Sequence, residues 1–201
     1  MDARVVDDSL LDLAFALQGA GRPSLTRLQL GTALRAWLPW LGEAPGSGLH
    51  APRLAPGGLV PRRARLLLRV PQSRLAEAQA LAGARLEAGD GQLQLAEPQA
   101  RALLAHPTLW SQSVVCDAPD ELGLLALAEA WMQQHGLRGE LVCGRRHELM
   151  GPQGTLGGHS LMLHGLSAAD SLRAQSLGLG DWHWLGCGLF VPHKSAAAVG
   201  H

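Results

Sequence analysis

One order of elements occurs twice along this chain, and it limits the possible folds more than any other feature. Residues 10–17, LLDLAFAL, place Leu11, Leu13, Phe15 and Leu17 on one side at period two, which predicts a strand. The glycine-rich run from Gln18 to Pro23 breaks it. Leu30, Leu34, Trp37, Leu38 and Leu41 then recur at helical spacing, predicting a helix over 25–41. Gly42 to Pro61 is rich in glycine and proline and reads as a loop or an irregular hairpin. Residues 64–70 read as a strand with Leu66, Leu68 and Val70 inward, which leaves Arg65 and Arg69 on its wet face. A short alanine-rich helix follows over 72–82. Segments 84–88 and 92–96 flank Gly89-Asp90-Gly91, a hairpin signal.

The pattern then begins again. Residues 108–117 read as a strand, and Pro119 opens a helix to about His135 with Asp120 and Glu121 in its first turn, where the macrodipole favours them. Segments 140–144 and 159–165 read as strands around a glycine-rich connection. Ser167-Ala-Ala-Asp170 starts a helix that ends near Leu177, and 186–192 read as the last strand. Each half is therefore strand, helix, strand, strand, helix, strand. This predicts an α+β chain of two tandem ferredoxin-like units of the RRM-like, βαββαβ type. The boundary falls near Ala105–Pro107, giving domains of residues 1–106 and 107–201. No sequence period accompanies the repetition, so a solenoid is excluded.

Composition narrows the function classes. Hydrophobic residues make up 47% and charged residues 17%, which fits a folded chain and excludes disorder. Cys116, Cys143 and Cys187 are isolated and odd in number, which argues against a disulfide framework or a thiolate zinc site and fits a reducing cytoplasm. No signal-peptide pattern and no apolar run of membrane-spanning length are visible, so a cytoplasmic protein without a membrane partner is expected. Seventeen basic residues balance seventeen acidic ones, so any preference for a polyanion must lie in where the charges fall.

They fall unevenly. Between Glu43 and Glu77 there is no acid, while Arg53, Arg62, Arg63, Arg65, Arg69, Arg74 and His50 lie in that window. Arginine forks match phosphate oxygens, and a local stripe of them is the footprint of a nucleic-acid site. Arg53, Arg62 and Arg63 stand in loop or hairpin and point to RNA. Arg145-Arg146-His147 ends a strand, as a phosphate contact or a solvated edge. The segment from Gly178 to Gly188 contains Gly180, Gly186, Trp182 and Trp184. It lacks the context of a dinucleotide fingerprint or a P-loop. Its glycines permit close backbone approach and its tryptophans suit base stacking. Alternatively, one tryptophan belongs to the core and the glycines make a tight crossover. Metal-ligand spacings are absent, so no metal or other cofactor is expected. His50 is either a surface residue or a proton carrier beside the arginines.

Two segments carry a resemblance. Residues 165–192, GLSAADSLRAQSLGLGDWHWLGCGLFVP, and residues 40–53, WLGEAPGSGLHAPR, resemble parts of the CRISPR-associated endoribonucleases of the RAMP superfamily that cut precursor CRISPR RNA at each repeat. The first is similar to that family's helix, glycine-rich loop and final strand, the second to the loop carrying its histidine. The resemblance runs over nearly the whole chain and implies two ferredoxin-like units side by side. It implies metal-independent cleavage giving a 2′,3′-cyclic phosphate and a 5′-OH, with His50 as the catalytic histidine. It further implies a partner in repeat RNA, precursor and mature, and other subunits of a CRISPR effector complex. Some relatives place a tyrosine or lysine beside the histidine. This chain has no tyrosine and one lysine, Lys194, so Arg53, Arg62 and Arg63 become candidates for charge stabilisation. The residues expected to meet RNA are then Arg53, Arg62, Arg63, Arg145, Arg146, His147, Gly180, Gly186, Gly188 and Lys194. The alternative is a non-catalytic RNA-binding subunit of the same fold.

Overall fold

The structure, a computed structural model, describes residues 9–118 and 120–194; Pro119, the expected helix opener, lies outside the described residues. The first half runs β1 (Leu10–Pro23), α1 (Arg27–Trp37), β2 (Gly48–Leu49), β3 (Arg65–Pro71), α2 (Leu75–Gln79), β4 (Arg85–Leu95) and β5 (Gln99–Ala102). The second runs β6 (Thr108–Val114), α3 (Glu121–Gln134), β7 (Glu140–Gly151), β8 (Gly154–His164), α4 (Ala168–Leu177) and β9 (Val191–Pro192). One sheet has the order β2-β3-β1-β4 with β5 also on β1, the other β7-β8-β6-β9. Both place the first strand of a half between its third and fourth, antiparallel to each, which is the ferredoxin-like arrangement expected from the sequence.

Local chemistry starts the helices where the sequence suggests. Thr26 and Gln29 form a reciprocal capping box at α1. Asp120 caps α3 by accepting the Gly123 N–H, and Ser167 caps α4 by accepting the Asp170 N–H. Asp170 returns its carboxylate to the Ser167 hydroxyl rather than to the backbone, so the box is incomplete. Alternation in the strands builds two cores. Leu13, Phe15, Leu66 and Leu68 pack with Leu30 and Leu34 of α1, while Leu109, Leu161 and Leu163 pack with Leu124 and Ala128 of α3. Among the described residues no helix is long and apolar enough to cross a membrane.

Several expectations need correction. β1 does not break at Gln18; it continues to Pro23 because residues 17–23 pair with 95–89 of β4, and sheet pairing overrides the low strand preference of its glycines. The hairpin around Gly89-Asp90-Gly91 is present inside the extended run β4. Gly83 N–H donates to the Leu95 carbonyl, Leu95 N–H to that of Ala84, and the Gln92 amide to Glu87, which are contacts across a turn. The glycine-rich connection at 145–158 is not a loop. β7 and β8 form one long hairpin turning between Gly151 and Gly154, and Arg145-Arg146-His147 lie mid-strand. The last strand is short, since residues 186–190 run outside regular pairing and only Val191–Pro192 join β6.

Candidate active site

The register of the first sheet makes the site. Asp12 of β1 lies directly opposite Arg69 of β3, and Gly48 of β2 pairs with Arg69 from the other edge. The His50 N–H donates to the Leu67 carbonyl, so the residue just past β2 is tied to the same strand. Period-two alternation sends Leu13, Phe15, Leu66 and Leu68 into the core and Asp12 and Arg69 to the opposite face. That face was expected to be wet. It is instead covered by the second half, and Arg69 is 0% exposed.

Arg69 makes four hydrogen bonds there. Its Nε and one terminal nitrogen donate to the two oxygens of Asp12 at 2.8 and 3.1 Å. Its other terminal nitrogen donates to the carbonyls of Gln175, in α4, and Phe190, at 3.1 and 3.0 Å. His50 Nε2 stands 3.0 Å from Asp12 Oδ1. Burial would raise the Asp12 carboxyl, but the hydrogen bonds and charges of His50 and Arg69 hold it well below the usual carboxylate range. Burial pushes the His50 imidazole below its ordinary value; Asp12 pulls it back up and Arg69 pushes it further down. The imidazole is therefore neutral near pH 7. His50 is 9% exposed, so it is neither a surface histidine nor one that contributes little burial.

His50, Ala51, Arg53 and Leu67 of the first half share a cavity of about 330 Å³ with Trp110, Gln112, Gly186, Leu189 and Val191 of the second. A second cavity, about 440 Å³ and mainly leucine-lined, touches His50 and Arg53 from the other side, with Arg63 and Arg65 also on its wall. The structure thus brings Arg53 to His50. Arg63 lines only the apolar cavity, and Arg62 is exposed and lines neither. Arg146 lines a separate cavity against β8, and Arg145, Arg146 and His147 line neither of the two cavities that His50 touches. Lys194 is exposed two residues past β9. Among the described residues no group of three or more His, Cys, Asp or Glu is placed to hold a metal ion.

The glycine-rich segment contributes by close packing. Gly186 has φ +80°, and a Cβ there would stand 2.9 Å from the N and Cα atoms of Ala51, the residue after His50. Its N–H donates to His183 and that of Gly188 to Ser113, so both donors are engaged within the protein. At Gly180 and Gly188 a side chain would collide with the carbonyls of Val115 and Leu179. Trp184 packs between Gly31 of α1 and Gly42, with the Arg35 guanidinium 5.0 Å over its ring, so this tryptophan is part of the join between the halves. Trp110 is the aromatic side chain that lines the cavity with His50.

Asp12 and Arg69 are the site residues that sequence reasoning missed. Their signal was a lone acid within LLDLAFAL and the second of two arginines within ARLLLRV, each at an outward position of a largely apolar strand.

The family model described as Cas6 Crispr matches residues 11–195. The CRISPR-associated endonuclease Cas6 of Myxococcus xanthus (strain DK1622) is 34% identical over 193 residues, covering 94% of this chain and 84% of that protein. A Cas6-related protein from Pyrococcus furiosus superposes with a TM-score of 0.60 at 14% identity, over 93% of this chain and 100% of that one. Thermus thermophilus Cse3, bound to an RNA representing a pre-cleavage complex, superposes with a TM-score of 0.54 at 15% identity, over 92% of this chain and 100% of that one. The two structures share the fold, and the family match with the Myxococcus relative shows descent: the chain belongs to the Cas6 family of CRISPR-associated proteins.

Proposed function

We propose that this chain is an endoribonuclease that cuts precursor CRISPR RNA within its repeats, without a metal ion, leaving a 2′,3′-cyclic phosphate and a 5′-OH. The observation that carries the reading is a buried histidine, 3.0 Å from a carboxylate, in a cavity shared by two ferredoxin-like halves and also lined by an arginine. His50 takes the proton of the ribose 2′-OH. The O2′–phosphorus bond forms, the phosphorus–O5′ bond breaks, and the leaving oxygen takes a proton from solvent. Arg53 stabilises the charge that builds on the phosphoryl oxygens, the role that preorganised cations play in low-dielectric sites. Residues 1–106 carry these groups and residues 107–201 close the site over them. The arginines outside the cavity, with Lys194, hold the RNA backbone, and further effector subunits are partners of the product complex.

The test is incubation of labelled repeat hairpins with the protein in EDTA, followed by analysis of the ends. Cleavage with cyclic-phosphate ends supports the reading, and binding without cleavage points to a non-catalytic RNA-binding subunit.

Two further outcomes are expected. Arg62→Ala with Arg63→Ala flattens the log–log salt dependence of repeat binding by about one unit or less per lost phosphate contact, through counterion release. Equilibrium binding at several salt concentrations checks this, and an unchanged slope places the RNA elsewhere. Gly186→Val lowers single-turnover cleavage by about 10²-fold, because displacing Ala51 misplaces the neighbouring His50 and a 1 Å error in position is enough for that loss. Gly186→Ala, strained at the same φ but smaller, loses less. Circular dichroism confirms the fold, and a folded valine variant with native rates overturns the expectation.

A further inference from the structure

We infer that Asp12, clamped by Arg69, is the positioning residue that fixes the tautomer of His50 and leaves Nδ1 as its basic nitrogen. The inference rests on the proposed cleavage reaction for its purpose but on the structure for its geometry.

An ionised carboxylate accepts hydrogen bonds and donates none. Asp12 Oδ1 takes the Arg69 Nε–H at 2.8 Å, Oδ2 takes the terminal N–H at 3.1 Å, and Oδ1 also faces His50 Nε2 at 3.0 Å. Both contacts of Oδ1 must therefore be donors, so the neutral imidazole carries its proton on Nε2. The remaining nitrogen, Nδ1, takes no hydrogen bond among the described residues. The buried polar side-chain atoms without a partner there are Ser113 Oγ and His183 Nε2, so Nδ1 reaches open space.

Arg69 makes the arrangement rigid. The two carbonyls it bonds belong to the second half, so docking of the halves holds the guanidinium, which holds the carboxylate, which holds the ring. The charged groups facing His50 are Asp12 from β1, Arg69 from β3 and Arg53 from its own loop, with Arg63 and Arg65 on the wall of the second cavity that His50 touches. The cavity residues from the second half, Trp110, Gln112, Gly186, Leu189 and Val191, are uncharged.

Asp12→Asn is the discriminating variant, since an amide has the same shape but one donor end. If its oxygen faces Nε2, its NH2 confronts the Arg69 N–H; if its NH2 faces Nε2, the imidazole must move its proton to Nδ1. Removing the carboxylate also removes the group that raises the His50 pKa, so the acid limb of the pH–rate profile moves to lower pH. The expected result is a loss in single-turnover rate of about 10²–10⁴-fold, the size seen when a histidine base is left in the wrong tautomer.

Side-chain nitrogen NMR of the RNA-free protein reads the tautomer without any reaction. An Nε2–H form in the wild type that shifts in Asp12→Asn supports the inference, even if the protein cuts no RNA, a result that would count only against the proposed function. An Nδ1–H form in the wild type overturns it. So does a folded Asp12→Asn with the wild-type tautomer and acid limb. Asp12→Glu, which keeps the acceptor on a longer arm, recovers the tautomer if Asp12 acts by accepting; failure to recover in a folded variant with an intact Arg69 contact counts against it.

Discussion

His50→Ala lowers cleavage of a bound repeat hairpin by about 10²–10⁴-fold, the range of a general acid–base contribution. Repeat affinity stays close to native, because arginines outside the cavity make most of the expected phosphate contacts. Stability does change. His50 is buried and bonded to a charged group, and losing such a bond costs about 1.5–3 kcal/mol. Asp12 keeps its two bonds to Arg69 in the variant, so no bare charge is left and the fold survives. Single-turnover assays below the melting temperature separate the chemical loss from the structural one. His147→Ala and His193→Ala serve as comparisons: His147 lies mid-strand in β7, and the His193 ring packs 5.8 Å from Trp110. Near-native cleavage by His50→Ala with a large loss in either other variant would move the proton transfer to that histidine. A 2′-deoxy nucleotide at the cut abolishes cleavage and leaves binding; cleavage that survives it would falsify the 2′-OH mechanism.

Much of the fold was legible because it follows from periodicity. Leu11, Leu13, Phe15 and Leu17 marked β1, and the spacing of Leu30, Leu34 and Trp37 marked α1, which ends at Trp37 and not at the expected residue 41. The glycine-rich 145–158 was misread for a physical reason: in a long hairpin, pairing supplies what propensity lacks. The site was legible only in part. The resemblance of residues 40–53 singled out His50, and the arginine stripe singled out Arg53, which the structure places in the same cavity. Asp12 and Arg69 were not recoverable in the same way. Alternation assigned Arg69 to the correct face of β3, but the burial of that face depends on how two units dock, which no local pattern encodes. Cross-strand register, not sequence proximity, brings residues 12, 50 and 69 together.

Arg69→Met destabilises the protein by about 3–5 kcal/mol near neutral pH, the cost of removing one partner of a buried ion pair. In a chain of this size that lowers the melting temperature by about 6–20 °C. The guanidinium now satisfies Asp12 and the carbonyls of Gln175 and Phe190, and thioether carbon satisfies none of them. Arg69→Lys keeps a charge but cannot bridge a carboxylate and two carbonyls with one compact ammonium, so it falls between the two. The pH dependence tests the assignment more sharply. His50 has a depressed pKa in the fold, so its contribution is complete above its ordinary value of about 6.5 and declines as pH falls below it. Asp12 is also depressed, and its contribution is lost at much lower pH, through the carboxylate range and beneath it. Arg69 is one of the groups that lower His50. Without it the imidazolium forms more readily beside Asp12, and the loss of stability from pH 7 to pH 5 shrinks. The gap between wild type and Arg69→Met in urea denaturation therefore narrows on acidification. A gap that stays constant between pH 7 and pH 5 would show that Arg69 joins the two halves without acting on the histidine.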